Sequence, residues 1–498
     1  MYQDVLAVLS AIPLEKSSTR PVWLQISIGL VNSIRHGELR SGLKLPGTRV
    51  MAHTLNTHRK TLQMALDELA SQGWLEVTPR KGTFVSREVP ELTPRKNLSI
   101  RLAPHYPLKT GFRIKESNIF SFPRSDFQRT SDLIIAEGFP DIRLAPMNQL
   151  SREIRVIEKG RTFRKYLHYG NPQGTAYLRD TLSKFLRETR ILKVSADNII
   201  ITRGAQMGLH VAAQVLLKPN DQVIVGDPGY VTATITLQGT GAVINKVPVD
   251  EHGIKIDHIA RLCQRKKIRL VYVIPHHHHP TTVTLSAERR IRLLSLAQQY
   301  NFAIIEDDYD YDFHYTASPI VPMASLDQNG NVIYIGTLSK TLAPAIRVGF
   351  MIAPKNFIDE AVAVRRSIDF QGDSILEIAI AELYKNGIIQ NHIKKVVKIY
   401  RQRRDHFCAL LREQLGEYVS FRIPDGGLSV WTHFKKVNLE KVTTLAAKRK
   451  LIMFDGSIYN TKFSSNATRL GFSSLNFSEQ DEAVDILLKC IKQALLKK

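Results

Sequence analysis

At 498 residues the chain is too long for one ordinary hydrophobic core, so two or more domains are expected. Its 43 % hydrophobic content suits a globular protein. No apolar run approaches a membrane span, and the N-terminus, with Asp4 and Glu15, lacks a basic-then-apolar leader, so the membrane is set aside and the cytoplasm is the expected location. The net charge of +23 calls for a polyanionic partner or reflects a solubility habit of the source organism, while Cys263, Cys408 and Cys490, odd in number and far apart, argue against a disulfide framework and a zinc module.

Pro21 opens a helical pattern in which Val22, Ile26, Leu30 and Ile34 recur every four residues, with Trp23 adding to that face, and Gly37 ends it. Leu45-Pro46-Gly47-Thr48-Arg49 reads as a turn and helix start with Thr48 as N-cap, followed by a short helix from Val50 to Leu55. After Asn56-Thr57 a longer helix runs from about His58 to Gln72, with Leu62, Ala65, Leu66 and Leu69 as its buried stripe and Gly73 as its stop. His58, Arg59, Lys60 and Thr61 lie in its first turns, mostly off that stripe. Trp74 to Val77 and Thr83 to Val85 read as strands around the basic turn Pro79-Arg80-Lys81-Gly82. Helix, short helix, helix and hairpin make a winged helix-turn-helix. The longer helix from His58 can enter a major groove with its polar N-terminal end, and Arg80, Lys81 and the flexible Gly82 can reach phosphates or the minor groove.

The segment from Pro21 to Val85 resembles the DNA-binding domain of GntR-type regulators. The resemblance rests on the Leu-Pro-x-x-Arg turn at Leu45 to Arg49, on Arg59 early in the recognition helix, and on the Gly-Thr-Phe-Val wing end at Gly82 to Val85. It implies operator contacts from Arg49, Arg59, Thr61 and the wing residues Arg80, Lys81 and Gly82. Gln63 stands where relatives often carry another Arg, and His58 where they carry a small hydroxyl residue, so the resemblance carries over the DNA-binding activity and not the exact operator.

From Ser86 to Thr130 no periodicity is sustained, and basic residues such as Arg95, Lys96, Arg101, Lys109 and Arg113 outnumber the acids among repeated prolines. The stretch reads as a solvated tether, with nonspecific phosphate contacts as a second role. The expected domains are therefore a winged helix-turn-helix over 1–86, a basic linker over 87–130 and a large domain over 131–498.

Beyond Leu133, β-type runs alternate with helical patterns: Asn198 to Thr202, Gln222 to Val225, Val243 to Val247, Leu270 to Ile274, Phe302 to Glu306, Val332 to Ile335 and Gly349 to Ala353. This pattern predicts a largely parallel sheet covered on both faces, with its site at the carboxyl ends of the strands. Gly204-Ala205-Gln206 after the first run would open a helix whose N-terminus favours phosphate. Tyr230 after the second is a stacking ring or a core Tyr. Asp307 and Tyr309 after the fifth can serve a protonated pyridine and its phenolic oxygen, or the acidic cluster can bind a divalent metal. After the sixth comes Lys340 among Thr337, Ser339 and Thr341, with Arg347 one loop later. An amine near apolar segments is nucleophilic and suited to a Schiff base, and an arginine nearby can hold a phosphate.

In that order at strand ends, these residues resemble the fold-type I pyridoxal 5′-phosphate (PLP) enzymes of the aspartate aminotransferase superfamily. Gly138-Phe139-Pro140-Asp141, Tyr169-Gly170-Asn171-Pro172 and Arg469-Leu470-Gly471-Phe472-Ser473 extend the likeness to the C-terminus. The resemblance implies that Lys340 carries PLP as a Schiff base, Asp307 pairs with the pyridine nitrogen, Tyr309 bonds the phenolic oxygen and Tyr230 stacks on the ring. It implies a phosphate site of Gly204, Ala205, Gln206, Ser339 and Arg347, with Tyr169 reaching in from a second subunit of a homodimer, and Arg469 taking the carboxylate of an amino acid.

A winged helix joined by a long linker to such a domain is the layout of the MocR/GabR regulators, and Glu306 to Asp310 and Gly336 to Lys340 are close to that family's forms. Expected is a PLP-dependent transcriptional regulator whose large domain senses an amine, an amino acid or PLP itself; the alternative is a working aminotransferase with an accessory nucleic-acid-binding domain. Thr232 stands where relatives with carboxylate-rich ligands often have Arg. In the loop from Pro275 to Thr282 the framing prolines and His277 match the family, and the final Gly does not. Adjacent side chains of the run His276 to His279 point apart on an extended loop, so hydrogen bonding near the cofactor, with His277 among its contacts, is expected in preference to a metal.

Overall fold

The computed structural model describes residues 2–15, 17–88, 108–114, 133–316, 321–460 and 466–496. The chain divides into two compact units, Met1–Ser117 and Asn118–Lys498. Most of the tether expected over 87–130 lies outside the described residues.

In the first unit, Pro21 precedes the helix Val22–Arg35 with φ −55°, an angle its ring already imposes, and the missing N–H has no helical partner to lose. Ile26, Leu30 and Ile34 are buried, as the four-residue spacing predicts. The second helix, Thr48–Thr54, is capped by Gly47 rather than Thr48. The Thr48 hydroxyl is engaged instead by Arg59, whose Nε donates to it over 3.2 Å. The helix Arg59–Ser71 buries Leu62, Ala65, Leu66 and Leu69, and Gly73 leaves it at φ +74°. Strands Leu75–Thr78 and Gly82–Val85 pair antiparallel, and Lys44 bridges to Phe84. A first helix, Tyr2–Ser10, was not anticipated. It adds Val5 and Leu9 to this core, and the unbroken apolar run from Val5 to Leu9 gives no helical periodicity to read.

The second unit is built on an eight-stranded sheet. Its order is Ile199–Thr202, Gly349–Ile352, Val332–Thr337, Ala303–Asp308, Ile268–Val273, Gln222–Asp227, Val243–Asp250 and Gly253–Ile254. The run from Val332–Thr337 to Val243–Asp250 is parallel throughout. Gly349–Ile352 departs from the parallel expectation and lies antiparallel to both neighbours. The loop before it, with only the 3₁₀ turn Pro344–Ile346, is too short for a crossover helix. Because that strand starts where its neighbours end, Arg347 reaches the same sheet edge as Lys340. Val223, Val225, Leu270, Ile305, Ile335 and Met351 form the core on one face, and Ile224, Val271, Ile304 and Val332 join that of the other.

A smaller antiparallel sheet orders Val419–Phe421, Ser429–Phe434 and Ala467–Gly471. The 28-residue helix Ile388–Leu415 buries Tyr400, Phe407, Leu411 and Leu415 in its core. Ala136 forms an antiparallel bridge with Leu470, and the Gly471 N–H donates to the Ile135 carbonyl at 2.8 Å. This pairing lays residues 135–137 along the strand that carries Arg469.

Candidate functional site

A cavity of about 360 Å³ opens at the carboxyl ends of the large sheet's strands, within the roughly 300–1,000 Å³ usual for small-molecule sites. Lys340, Asp307 and Arg347 all line it, as do Ala205, Gln206, Tyr230, Tyr309, Ser339 and Arg469.

Lys340 follows the strand Val332–Thr337 in a loop fixed by Thr337, whose Oγ1 accepts from the Ser339 N–H at 3.1 Å. Its Nζ donates to the Gly138 carbonyl at 2.8 Å and sits 5.0 Å from the centroid of the Phe139 ring. Burial, with the charge of Arg469 in support, pushes the amine down to about 8. A lysine so placed is partly neutral near physiological pH and therefore nucleophilic.

Asp307 is the penultimate residue of the adjacent parallel strand, opposite Ile335. Its Oδ2 accepts from the Tyr272 hydroxyl at 2.6 Å, while its buried Oδ1 has no hydrogen-bond partner. Burial raises the carboxyl to about 7; the Tyr272 bond pulls it down, and Asp308 and Asp310 push it further up. An N–H cation brought to Oδ1 would satisfy the oxygen and compensate the charge.

Arg347 holds Ser339 Oγ at 3.3 Å through Nη1 and the Arg203 carbonyl at 3.0 Å through Nη2. Against it lies Gly204, with φ +76° and ψ 173°, where an added Cβ would stand 2.5 Å from Nη2. Only glycine suits both the backbone and the space. The helix Ala205–Leu216 starts there, so unpaired N–H groups, a hydroxyl and a guanidinium converge on one spot. That is the chemistry of a phosphate cradle.

Tyr230 lines the cavity with its ring 4.9 Å from that of His279, edge-on. The Tyr309 hydroxyl donates to the His277 carbonyl at 3.0 Å and accepts from Arg469 Nη1 at 3.3 Å, so its proton is engaged there. The four histidines go to four places. His276 Nδ1 lies 3.4 Å from Asp308, His277 Nδ1 2.9 Å from Asp310, His278 Nδ1 2.8 Å from Thr281 Oγ1, and His279 Nε2 2.9 Å from Glu137. Among the described residues no three His, Cys, Asp or Glu side chains gather as a metal site. His277 was expected on the cofactor, but its ring lies against Asp310, and His279 takes the place on the cavity wall. Tyr169 stands apart from the lining, 85 % exposed and against Phe370.

Glu137, Ile458, Tyr459 and His279 are further wall residues to which the sequence assigns no individual role. Glu137 is the most consequential. It sits at φ +58°, and its carboxylate reaches His279, Tyr459 and Arg469. These contacts span up to 332 positions of sequence, which no local pattern reports.

In the first unit Arg49, His58, Arg59, Lys60, Arg80, Lys81 and Gly82 are exposed, and Thr61 is half-buried. Arg80 at φ +64° and Gly82 at φ +118° shape the wing's tip. The recognition helix and the wing thus hold their cationic side chains out to solvent.

Residues 145–487 match the family model "Aminotransferase class I and II", and residues 24–85 match "Bacterial regulatory proteins, gntR family". The chain belongs to the class I and II aminotransferase family. Its gntR-family front end gives it the domain order of MocR-type helix-turn-helix regulators. It is 26 % identical over 488 residues to the HTH-type transcriptional regulator YisV of Bacillus subtilis, covering 97 % of this chain and 98 % of that protein. It is 27 % identical to the probable rhizopine catabolism regulatory protein MocR of Rhizobium meliloti, covering 89 % and 87 %. Aromatic-amino-acid aminotransferase 1 of Thermococcus litoralis is 30 % identical over 74 % of this chain and 90 % of its own length. Among solved structures, the kynurenine aminotransferase of Pyrococcus horikoshii superposes with a TM-score of 0.68 at 29 % identity, covering 74 % of this chain and 92 % of that one.

PLP is the cofactor that this family implies. The residues present fit it: an unsatisfied buried carboxylate oxygen for the ring nitrogen, a depressed lysine, and a cradle that a single Cβ would fill. Among the described residues no helix is long and apolar enough to cross a membrane.

Proposed function

We propose that this chain is a cytoplasmic, homodimeric, ligand-sensing transcriptional regulator. The winged unit engages operator DNA through Arg49, His58, Arg59, Lys60 and Thr61 and through the wing residues Arg80, Lys81 and Gly82. The large unit holds PLP on Lys340 and senses an amine, an amino acid or PLP itself. One observation carries the reading: an exposed basic recognition helix and a cavity that brings together Lys340, Asp307 and Arg347 occur in the same chain.

Bound PLP would supply a reactive aldehyde and an electron-withdrawing ring. The protein's own residues do the rest. Lys340 holds the cofactor, Asp307 meets its ring nitrogen, Tyr230 packs against its face, and Gly204, Ala205, Gln206, Ser339 and Arg347 hold its phosphate. Tyr309 and Arg469 face the remaining space. A ligand changes DNA engagement only as far as it binds two conformations of the protein differently. In the proposed dimer Tyr169, exposed on the single chain, reaches the partner's phosphate site.

The complete cavity set favours a second reading, a working aminotransferase with an accessory nucleic-acid-binding unit. The deciding experiment titrates the purified protein with amines and amino acids while following operator binding, the visible cofactor band and turnover with a keto acid. Ligand-dependent operator binding without turnover supports the regulator. Steady turnover with ligand-independent DNA binding supports the enzyme.

A further inference from the structure

Arg469, which the resemblance assigns to a ligand's carboxylate, already faces a carboxylate of this chain. The bridge between Ala136 and Leu470 places Glu137 beside Arg469, with Oε2 3.4 Å from Nε. The same oxygen lies 2.9 Å from His279 Nε2, and Oε1 accepts from the Tyr459 hydroxyl at 2.5 Å. Glu137 is thus held from three sides, and all four residues face the cavity. Burial alone would raise its pKa, but His279, Arg469 and Tyr459 outweigh burial and hold Glu137 well below the usual carboxylate range.

Lys340 and Arg347 serve the cofactor in the function proposed above. Of the cavity's cationic lining residues, that leaves Arg469 for a ligand, and Glu137 neutralises it. The rest of the ligand end is Phe139, Tyr230, Thr232, Phe454, Ile458 and Tyr459, with no further cation among these. An amino acid would have to set its carboxylate beside that of Glu137, away from bulk water, where like charges repel strongly. An amine with no carboxylate brings no second anion to the Glu137–Arg469 ion pair and meets a wall of apolar and aromatic surface.

We infer that the site selects primary amines with an apolar or aromatic body and no carboxylate on the amine-bearing carbon, and that Glu137 is the residue that rejects the corresponding amino acids. The inference rests on the reading that Lys340 holds PLP, and the test separates the two. The full-length protein is loaded with PLP and titrated with matched pairs that differ only in the carboxylate: tyramine and tyrosine, phenethylamine and phenylalanine. The cofactor's visible band reports binding.

The wild-type protein should bind the amine of each pair at least about tenfold more tightly. Glu137→Gln, which keeps the shape and removes the charge, should erase or invert that preference. Glu137→Gly, which suits the positive φ, should do the same and guards against a packing effect of the glutamine. A preference for the amino acid in wild type, or a preference for the amine unchanged in both variants, overturns the inference and leaves the cofactor reading intact. No Lys340-dependent visible band in the wild type overturns both.

Discussion

Tyr272 donates a 2.6 Å hydrogen bond to one oxygen of Asp307 and leaves the other buried with no partner. Such a carboxyl charges reluctantly, which is why burial takes it to about 7 from the ordinary 3.8. The folded chain without cofactor therefore holds this proton more tightly than the unfolded chain does. The stability it contributes is complete below the unfolded value and is lost as pH rises through about 7. Compared with Asp307→Asn, the cofactor-free wild type should lose on the order of 2–4 kcal/mol between about pH 4 and about pH 8. Glu306 is raised into the same range but is common to both proteins and cancels. Urea melts of the two at both ends of that window check it; parallel profiles would contradict the burial argument.

The amine of Lys340, pressed down to about 8 by burial and by Arg469, must be neutral to capture the cofactor. The rate of PLP uptake by the cofactor-free protein should rise about tenfold between about pH 7 and about pH 9 and then level off. Arg469→Gln removes a cation and leaves Glu137 without its counter-ion, so both effects should shift that midpoint upward. Stopped-flow absorbance measures it, and an unmoved midpoint would remove Arg469 from the account of the lysine's reactivity.

At Gly204 an alanine would meet two obstacles, a backbone at φ +76° and ψ 173° that side chains avoid, and the Arg347 guanidinium 2.5 Å away. Arg347 can swing aside, at the cost of its bonds to Ser339 and the Arg203 carbonyl. Gly204→Ala should lower stability by about 1–3 kcal/mol and weaken PLP binding by about tenfold or more. Denaturation and cofactor titration report the two effects separately. Wild-type cofactor affinity in the variant would show that the phosphate sits elsewhere.

Arg59 joins the two helices of the reading head through Thr48 while remaining exposed. Arg59→Ala should weaken operator binding by about 1–3 kcal/mol and leave the cofactor band unchanged. Thr48→Val keeps the charge and removes the tether, so it should cost less. Binding isotherms at fixed salt decide between them; equal losses would make the residue a structural support rather than a DNA contact.

What the sequence reveals about this molecule follows the range of the interactions involved. Most apolar runs from Ile199 to Ile352 announce their strands because β-branched residues buried on both faces leave a dense local signal, and the residues after these runs mark the sheet edge. Lys340, Asp307, Arg347 and Gly204 could be found this way. The antiparallel turn at Gly349 was hidden, because an apolar run has no direction. The helix Ile388–Leu415 carries so many charged residues on its exposed faces that its core stripe is diluted. Glu137 and His279 escaped for a different reason. Their roles arise from a bridge at Leu470 and from a loop 142 residues away, and neither has a local signature. The shift from His277 to His279 has the same origin, since which ring of four faces the cavity is decided by what packs behind the loop.

Lys340 and Arg347 belong to a single β-hairpin, formed by Val332–Thr337 and Gly349–Ile352. The spacing between the proposed cofactor lysine and the proposed phosphate arginine is therefore written into one short stretch of chain. The ligand-facing residues Glu137, Thr232 and Tyr459 come from three remote segments. Mutation can rework the proposed ligand end one segment at a time, while the proposed anchoring lysine and phosphate arginine stay together in one hairpin. A lineage built this way can acquire new signals without reinventing its sensor.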